Sequence, residues 1–297
     1  MKLKTMLAAP IASLALIGAA PAFAQADAAL EGPALWKVAD EDTTIYLFGT
    51  VHALPKEIEW YDEDVAAALT ASDTLVTEIR MDPASEQAMQ QYTMQAGMLP
   101  AGTTLRSLLD EEQIAAYEAA LGKLGMPAQA FDQFEPWMAG LTLTMLPLIQ
   151  QGYSPDSGVE KVLLGKIAEG TAQDALETVE FQIGIFDGLD EEKQIAFLME
   201  AAEGVDEAKQ MLDAMVAEWI EGDADALAQL MNEGLSDAEI ASALLYDRNA
   251  TWADWIDTRL ETTPGTVFMA VGAGHLAGAK SVQEYLAQRG ITVTRVQ

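Results

Sequence analysis

The sequence predicts a mixed α/β fold: a central sheet formed by strands from both ends of the chain, with a large, mostly helical insertion over about 82–262. Three observations predict it. Short apolar, β-prone runs at 34–39, 43–48 and 74–79 stand near the start, and a strand–helix–strand pattern closes the chain between 266 and 296. Between them, apolar residues recur at helical spacing with little strand signal.

Residues 1–24 read as an export leader. Lys2 and Lys4 precede an apolar run over 7–20, and Ala22-Phe23-Ala24 gives a small-residue cleavage pattern before Gln25. The run is short for a membrane span and contains Pro10. The expectation is therefore a cleaved signal peptide, a periplasmic or secreted location, no stable membrane insertion after cleavage, and one domain over 25–297.

After a short lead at 25–32, the runs 34–39 and 43–48 flank Asp40-Glu41-Asp42, a hairpin pattern. Val65, Ala68 and Leu69 give 60–72 helical spacing. The next strand, 74–79, ends in Glu78-Ile79-Arg80 and is expected beside 43–48. Asp82-Pro83 opens the helical section, and Asp110 caps a helix over 111–121. Further helices are expected at 134–150 and 158–168, then a brief strand at 175–178. Helical patterns resume at 195–198, 208–220, 224–231 and 237–260. A strand at 266–271, a helix at 276–288 and a strand at 291–296 follow, and this order favours a parallel pair.

Composition excludes several functions. The chain has 47 acidic against 16 basic residues, a net charge of −31, and loss of Lys2 and Lys4 with the leader would make it −33. Such a surface repels phosphate backbones, so nucleic acid is not an expected partner. There is no cysteine, which rules out disulfides, thiol catalysis and a lipidated cysteine anchor. Half the residues are apolar, enough for an ordinary core.

The only two histidines occupy the same local frame. His52 ends Gly49-Thr50-Val51-His52 after one expected strand, and His275 ends Gly272-Ala273-Gly274-His275 after another. Gly49, Gly272 and Gly274 permit a sharp departure and close backbone approach at a strand's carboxyl end, where α/β sheets place ligands. Two imidazoles brought over one sheet edge suit a metal or a catalytic base. A metal needs a carboxylate as well, and Glu78, at a core strand's end, is costly there unless paired or metal-bound. Glu177 and Glu180 form a second carboxylate set. Arg248 interrupts the stripe Ile240, Leu244, Trp252 and Ile256, so it either snorkels or pairs with a buried anion.

Two competing motifs are set aside. Gly272-x-Gly274-x-x-Ala277 formally matches a dinucleotide fingerprint, but only about 20 residues follow it, too few for the rest of such a unit. No Gly-x-Ser-x-Gly elbow is present.

Taken in order, these segments resemble the TraB/GumN family, related to the Tiki metalloproteases. Leu47-Phe48-Gly49-Thr50-Val51-His52 is similar to its first G-x-x-H motif, and Glu78 to its strand-end acid. Leu176-Glu177-Thr178-x-Glu180-x-Gln182 is similar to its central segment, Arg248-Asn249 with Trp252 to its R-N helix, and Gly272 through Gly278 to its second G-x-x-H motif. Where the family commonly reads Gly-Val-Asp, this chain has Gly158-Val159-Glu160, which changes the carboxylate's reach. The segment before Glu177 is also more polar than usual. The resemblance implies a divalent metal (manganese, cobalt or zinc) held by His52, Glu78 and His275. It also implies hydrolysis of a peptide or small-molecule amide substrate, with Glu177 or Glu180 as general base or further ligand and Arg248, beside Asn249, at the oxyanion. The alternative expectation is a non-catalytic periplasmic protein that captures haem or metal with the same histidines.

Overall fold

The computed structural model describes residues 32–234 and 238–297, and the expected leader lies outside them. A six-stranded sheet, ordered β6-β4-β7-β2-β1-β8, forms the centre. Its strands are β1 (Leu35–Ala39), β2 (Thr43–Thr50), β4 (Thr74–Thr77), β6 (Ala172–Ala175), β7 (Gly265–Gly272) and β8 (Thr294–Arg295). A separate two-residue ladder joins β3 (Leu54–Pro55) to β5 (Tyr153–Ser154). The sheet is mixed: β2, β7, β4 and β6 run parallel, while β1 is antiparallel to both β2 and β8.

The helices are α1 (Glu63–Thr70), α2 (Pro83–Ala96), α3 (Glu111–Lys123), α4 (Pro136–Gln150), α5 (Val159–Leu164) and α6 (Val179–Asp187). They continue with α7 (Glu191–Glu203), α8 (Ala208–Glu221), α9 (Ala224–Gly234), α10 (Ala238–Ala241), α11 (Asp247–Thr262) and α12 (Val282–Gln288). Local chemistry sets several of their starts. Asp62, Asp82, Asp110 and Thr178 each accept backbone N–H groups at a helix N-terminus that would otherwise lack partners.

β7 lies between β2 and β4, and its residues Val267 to Val271 are all buried, as a parallel strand covered on both faces requires. Its side chains alternate between two cores. Phe268 and Ala270 join Phe48, Trp60 and Trp219 on one face; Val267, Met269 and Val271 join Leu47, Trp252 and Ile256 on the other. A third core, including Leu105, Tyr117, Leu121, Leu143 and Leu198, belongs to the insertion itself.

Five sequence expectations change. The strand at 74–77 pairs with β7 and β6 rather than beside β2, because β7 takes the central place. The last strand is only Thr294–Arg295 and pairs antiparallel with β1, so the terminal strand–helix–strand unit makes no parallel pair. The strand expected at 175–178 is Ala172–Ala175 instead. It sits at the sheet's edge, which explains its polar composition. The helix expected at 276–288 is a 3-10 turn, Ala273–Leu276, then α12; between them Lys280 has a φ of 57°. A π-helical segment, Ser242–Tyr246, also interrupts the pattern at 237–260 just before Arg248.

Candidate functional site

Parallel pairing brings the ends of β2, β7 and β4 to one edge of the sheet. Thr50 stands opposite Gly272 and Thr77 opposite Ala270, so the residues that follow, His52, His275 and Glu78, emerge together. Both histidines and Glu78 line one cavity of about 320 Å³.

The approach depends on glycine, but on its lack of side chain rather than on left-handed backbone. Gly49, Gly272 and Gly274 are not among the glycines with positive φ. A Cβ at Gly49 would stand 3.0 Å from the Ala273 Cα, and one at Gly272 3.2 Å from a Glu78 oxygen. Gly158, at the N-terminus of α5, is tighter: its Cβ would meet the His52 carbonyl oxygen at 2.2 Å. The Val159 N–H donates to the Val51 carbonyl beside it.

Glu160 was not among the site residues expected from sequence. It is 6% exposed and accepts from His52 Nδ1 and Thr50 Oγ1, each at 2.6 Å. Its signal was an acid one residue after the buried Val159 and three before the buried Leu163, a placement that exposes a carboxylate to cost unless it is paired. The His52 ring is otherwise open, 72% exposed. The Glu160 charge and hydrogen bond raise its pKa to about 9. Burial by itself pushes Glu160 up, but His52 and the Thr50 hydroxyl hold it below its ordinary value.

His275 has the opposite surroundings. It is 4% exposed and packs on Trp252, with ring centroids 4.2 Å apart. Arg248 Nη1 lies 3.1 Å from its Nε2. A guanidinium can only donate, so Nε2 accepts and Nδ1 carries the proton, which it gives to Asn249 Oδ1 at 2.6 Å. Asn249 Nδ2 in turn donates to the Lys280 carbonyl. Burial, helped by Arg248 and His52, lowers the imidazole to about 3 against the pull of Glu78.

Arg248 joins the remaining acids. Its Nη2 donates to Glu78 Oε2 at 2.6 Å, and Nε and Nη2 clasp Glu177 at 2.9 Å each. Nη1 also donates to the carbonyl of Leu244 within the π segment, a distortion that often marks functional positions. Trp252 Nε1 and Gln182 Nε2 complete the bonds to Glu177, and Gln182 bonds Glu78 as well. Glu78 also accepts the Gly272 N–H at 2.7 Å. Burial would raise Glu78, yet the surrounding charges and that N–H bring it down to about 2. His275 is neutral at pH 7, so at that pH Arg248 and His52 are the charges that hold Glu78 ionised.

A family model for TraB/PrgY/gumN matches residues 34–295. The chain belongs to the TraB/PrgY/gumN family. Comparison with curated proteins and with solved structures found no match.

Within this TraB/PrgY/gumN chain the structure gathers His52, Glu78, Arg248, Asn249 and His275 with Glu177 behind them. Two cavities meet at the site and Glu177 lines neither; its carboxylate is taken up by Arg248, Trp252 and Gln182. Glu180 is not brought in: it is exposed on the first turn of α6 and lines neither cavity.

As the side chains stand, no three His, Cys, Asp or Glu among the described residues form a metal-holding group; Arg248 bridges His275 and Glu78. The donor chemistry nevertheless fits a divalent cation. Each imidazole has Nδ1 fixed on an oxygen, the arrangement that orients histidine ligands through Nε2. Formal charge agrees: Glu78, Glu160 and Glu177 against Arg248 leave −2 when His52 is neutral, the charge a divalent ion cancels.

Proposed function

We propose that this chain is an exported, divalent-metal-dependent hydrolase acting on peptide or amide bonds. One observation carries the reading: two imidazoles from distant motifs share a cavity with an ionised carboxylate, and each is fixed through Nδ1. Manganese, cobalt and zinc all suit a donor set of two imidazoles and a carboxylate. Nε2 of His52, Nε2 of His275 and the Glu78 carboxylate would hold the cation, with Arg248 yielding His275 Nε2. A bound divalent ion supplies Lewis acidity, lowering the pKa of a water and polarising the scissile carbonyl.

The chain's own groups do the rest. Glu160 and Asn249 orient the imidazoles. Arg248, clasped by Glu177, stays within reach of the cavity, where a guanidinium can steady negative charge that develops on the substrate oxygen. Glu177 is thus a positioning residue. With Glu177 committed and Glu180 remote, Glu160, on the cavity wall beside His52, is placed to take up a proton.

Haem capture between the histidines is the weaker reading. His275 is buried and covered by Arg248, which leaves His52 as the one imidazole open to a large planar ligand.

Elemental analysis of the purified protein, followed by peptide cleavage with and without chelator, tests the proposal. The expected result is about one divalent ion per chain and cleavage that chelation abolishes and metal restores. In H52A and H275A both are expected to be lost. Full turnover in either variant overturns the assignment.

A further inference from the structure

The site is the meeting point of two cavities. The first, about 390 Å³, is walled by residues 77–81 at the end of β4 and by Glu86, Met89 and Gln90 of α2. The second, about 320 Å³, lies toward α4, α8 and α9. Both are of a size that holds a ligand portion rather than a single water. His52 and Glu78 line both, and no other residue does.

The two differ in charge rather than in overall polarity, since apolar surface predominates in both. The first carries Arg80, Glu86 and Lys161 beside Ile79, Met81 and Met89. The second is apolar beyond the His, Glu and Arg cluster: Met145, Leu148, Leu212, Met215, Met231 and Leu245 line it. Three of these six are methionine, whose unbranched, polarisable side chain adapts to differently shaped apolar groups. Two terms favour an apolar occupant here. The walls offer little to a polar one, and an apolar side chain that enters leaves water for the close contacts such a surface provides.

From this we infer that the substrate is an extended peptide that crosses the His52–Glu78 junction and places a large apolar side chain in the methionine-lined cavity, with its other flank along α2. The inference rests on the hydrolase reading for what happens at the junction, but the side-chain preference is a property of the pocket alone. A compact polar substrate would fill one cavity and leave the other without use. An extended chain advances about 3.3 Å per residue, so a few residues on each side of one peptide bond occupy both.

The test uses end-blocked hexapeptides that differ at one central position: Leu, Phe or Met against Ser or Asn. Affinity is read by calorimetry on the chelator-treated protein, and cleavage by mass spectrometry on the untreated protein. The apolar peptides are expected to bind about ten- to a hundredfold more tightly, the range for burying one such side chain. M145W fills the cavity and should remove the preference; M145L, of similar volume, should keep it. M215Q, which keeps length but adds an amide, gives a second reading should M145W fail to fold. Apolar-selective binding that is lost in the filled or amide variant supports the inference, whether or not the peptide is cut. Selective binding without metal-dependent cleavage would sink the hydrolase reading and keep the pocket. Equal affinity for apolar and polar peptides, or a preference unchanged in both variants, overturns the inference, even where cleavage proceeds.

Discussion

His52 and His275 end the same Gly-x-x-His frame on neighbouring parallel strands, yet the protein treats them in opposite ways. His52 keeps an open ring and a carboxylate partner, and it is held protonated at neutral pH. His275 is enclosed, bonded to an amide oxygen and a guanidinium, and held neutral. The difference is not in the motif. It comes from what packs behind each loop: the N-terminus of α5 with Glu160 behind His52, and the buried face of α11 with Arg248, Asn249 and Trp252 behind His275. A short motif places an imidazole; the elements behind it set its charge, tautomer and access.

The largest test of this contrast is removal of the charge on the buried side. R248M leaves Glu78 and Glu177 in a low-dielectric site without their cation. The expected loss is about 3–5 kcal/mol of unfolding free energy by chemical denaturation. On the open side, E160Q retains an oxygen that can accept from His52 and Thr50, and about 1 kcal/mol is expected. Equal losses would break the comparison, since both halves would then behave as one buried network.

Next in size is the amide that holds His275. N249A leaves the Nδ1–H of His275 without a partner in a buried place, while the carbonyl of exposed Lys280 can turn to water. At roughly 1–3 kcal/mol for a buried unmet group, a loss of about 1–3 kcal/mol is expected on denaturation. The histidine should also lose its fixed orientation, and metal affinity measured by competition with a chromophoric chelator should fall about 10–100-fold. A loss of stability with unchanged affinity would show that Asn249 serves the Lys280 turn alone.

Much of this arrangement could be read in the chain itself. The two histidine frames, the strands that precede them and Glu78 are local features with strong signals: apolar runs that stop at glycine. Strand neighbours were less legible. Hydrophobic pattern says that β4 is buried but not that β7 separates it from β2, because the pairing is set by contacts between distant segments. Glu177 shows the same limit at the site. Its sequence position marks an acid near a strand end, while its role follows from Arg248, 71 residues away, which takes up its oxygens. Glu160 escaped because helix α5 is short, and an acid in the first turn of a helix usually faces solvent and stabilises the positive end of the helix dipole. Here the tight contact at Gly158 turns it toward His52.

That contact gives the finest distinction between the two loops. A methyl at Gly158 would strike the His52 carbonyl oxygen at 2.2 Å and its carbon at 2.9 Å, both backbone atoms that cannot yield without shifting the histidine loop. G158A is therefore expected to cost about 1–3 kcal/mol, the range for overpacking. A methyl at Gly274 would meet the Met231 Cε at 2.1 Å, nearer still, but that is the end of a flexible side chain facing a cavity. Met231 can turn away into that space, so G274A is expected to cost a few tenths of a kcal/mol. Thermal unfolding of the pair measures the difference. A larger loss for G274A than for G158A would mean that Met231 is locked in place, and that the apolar cavity is a rigid wall rather than an adaptable one.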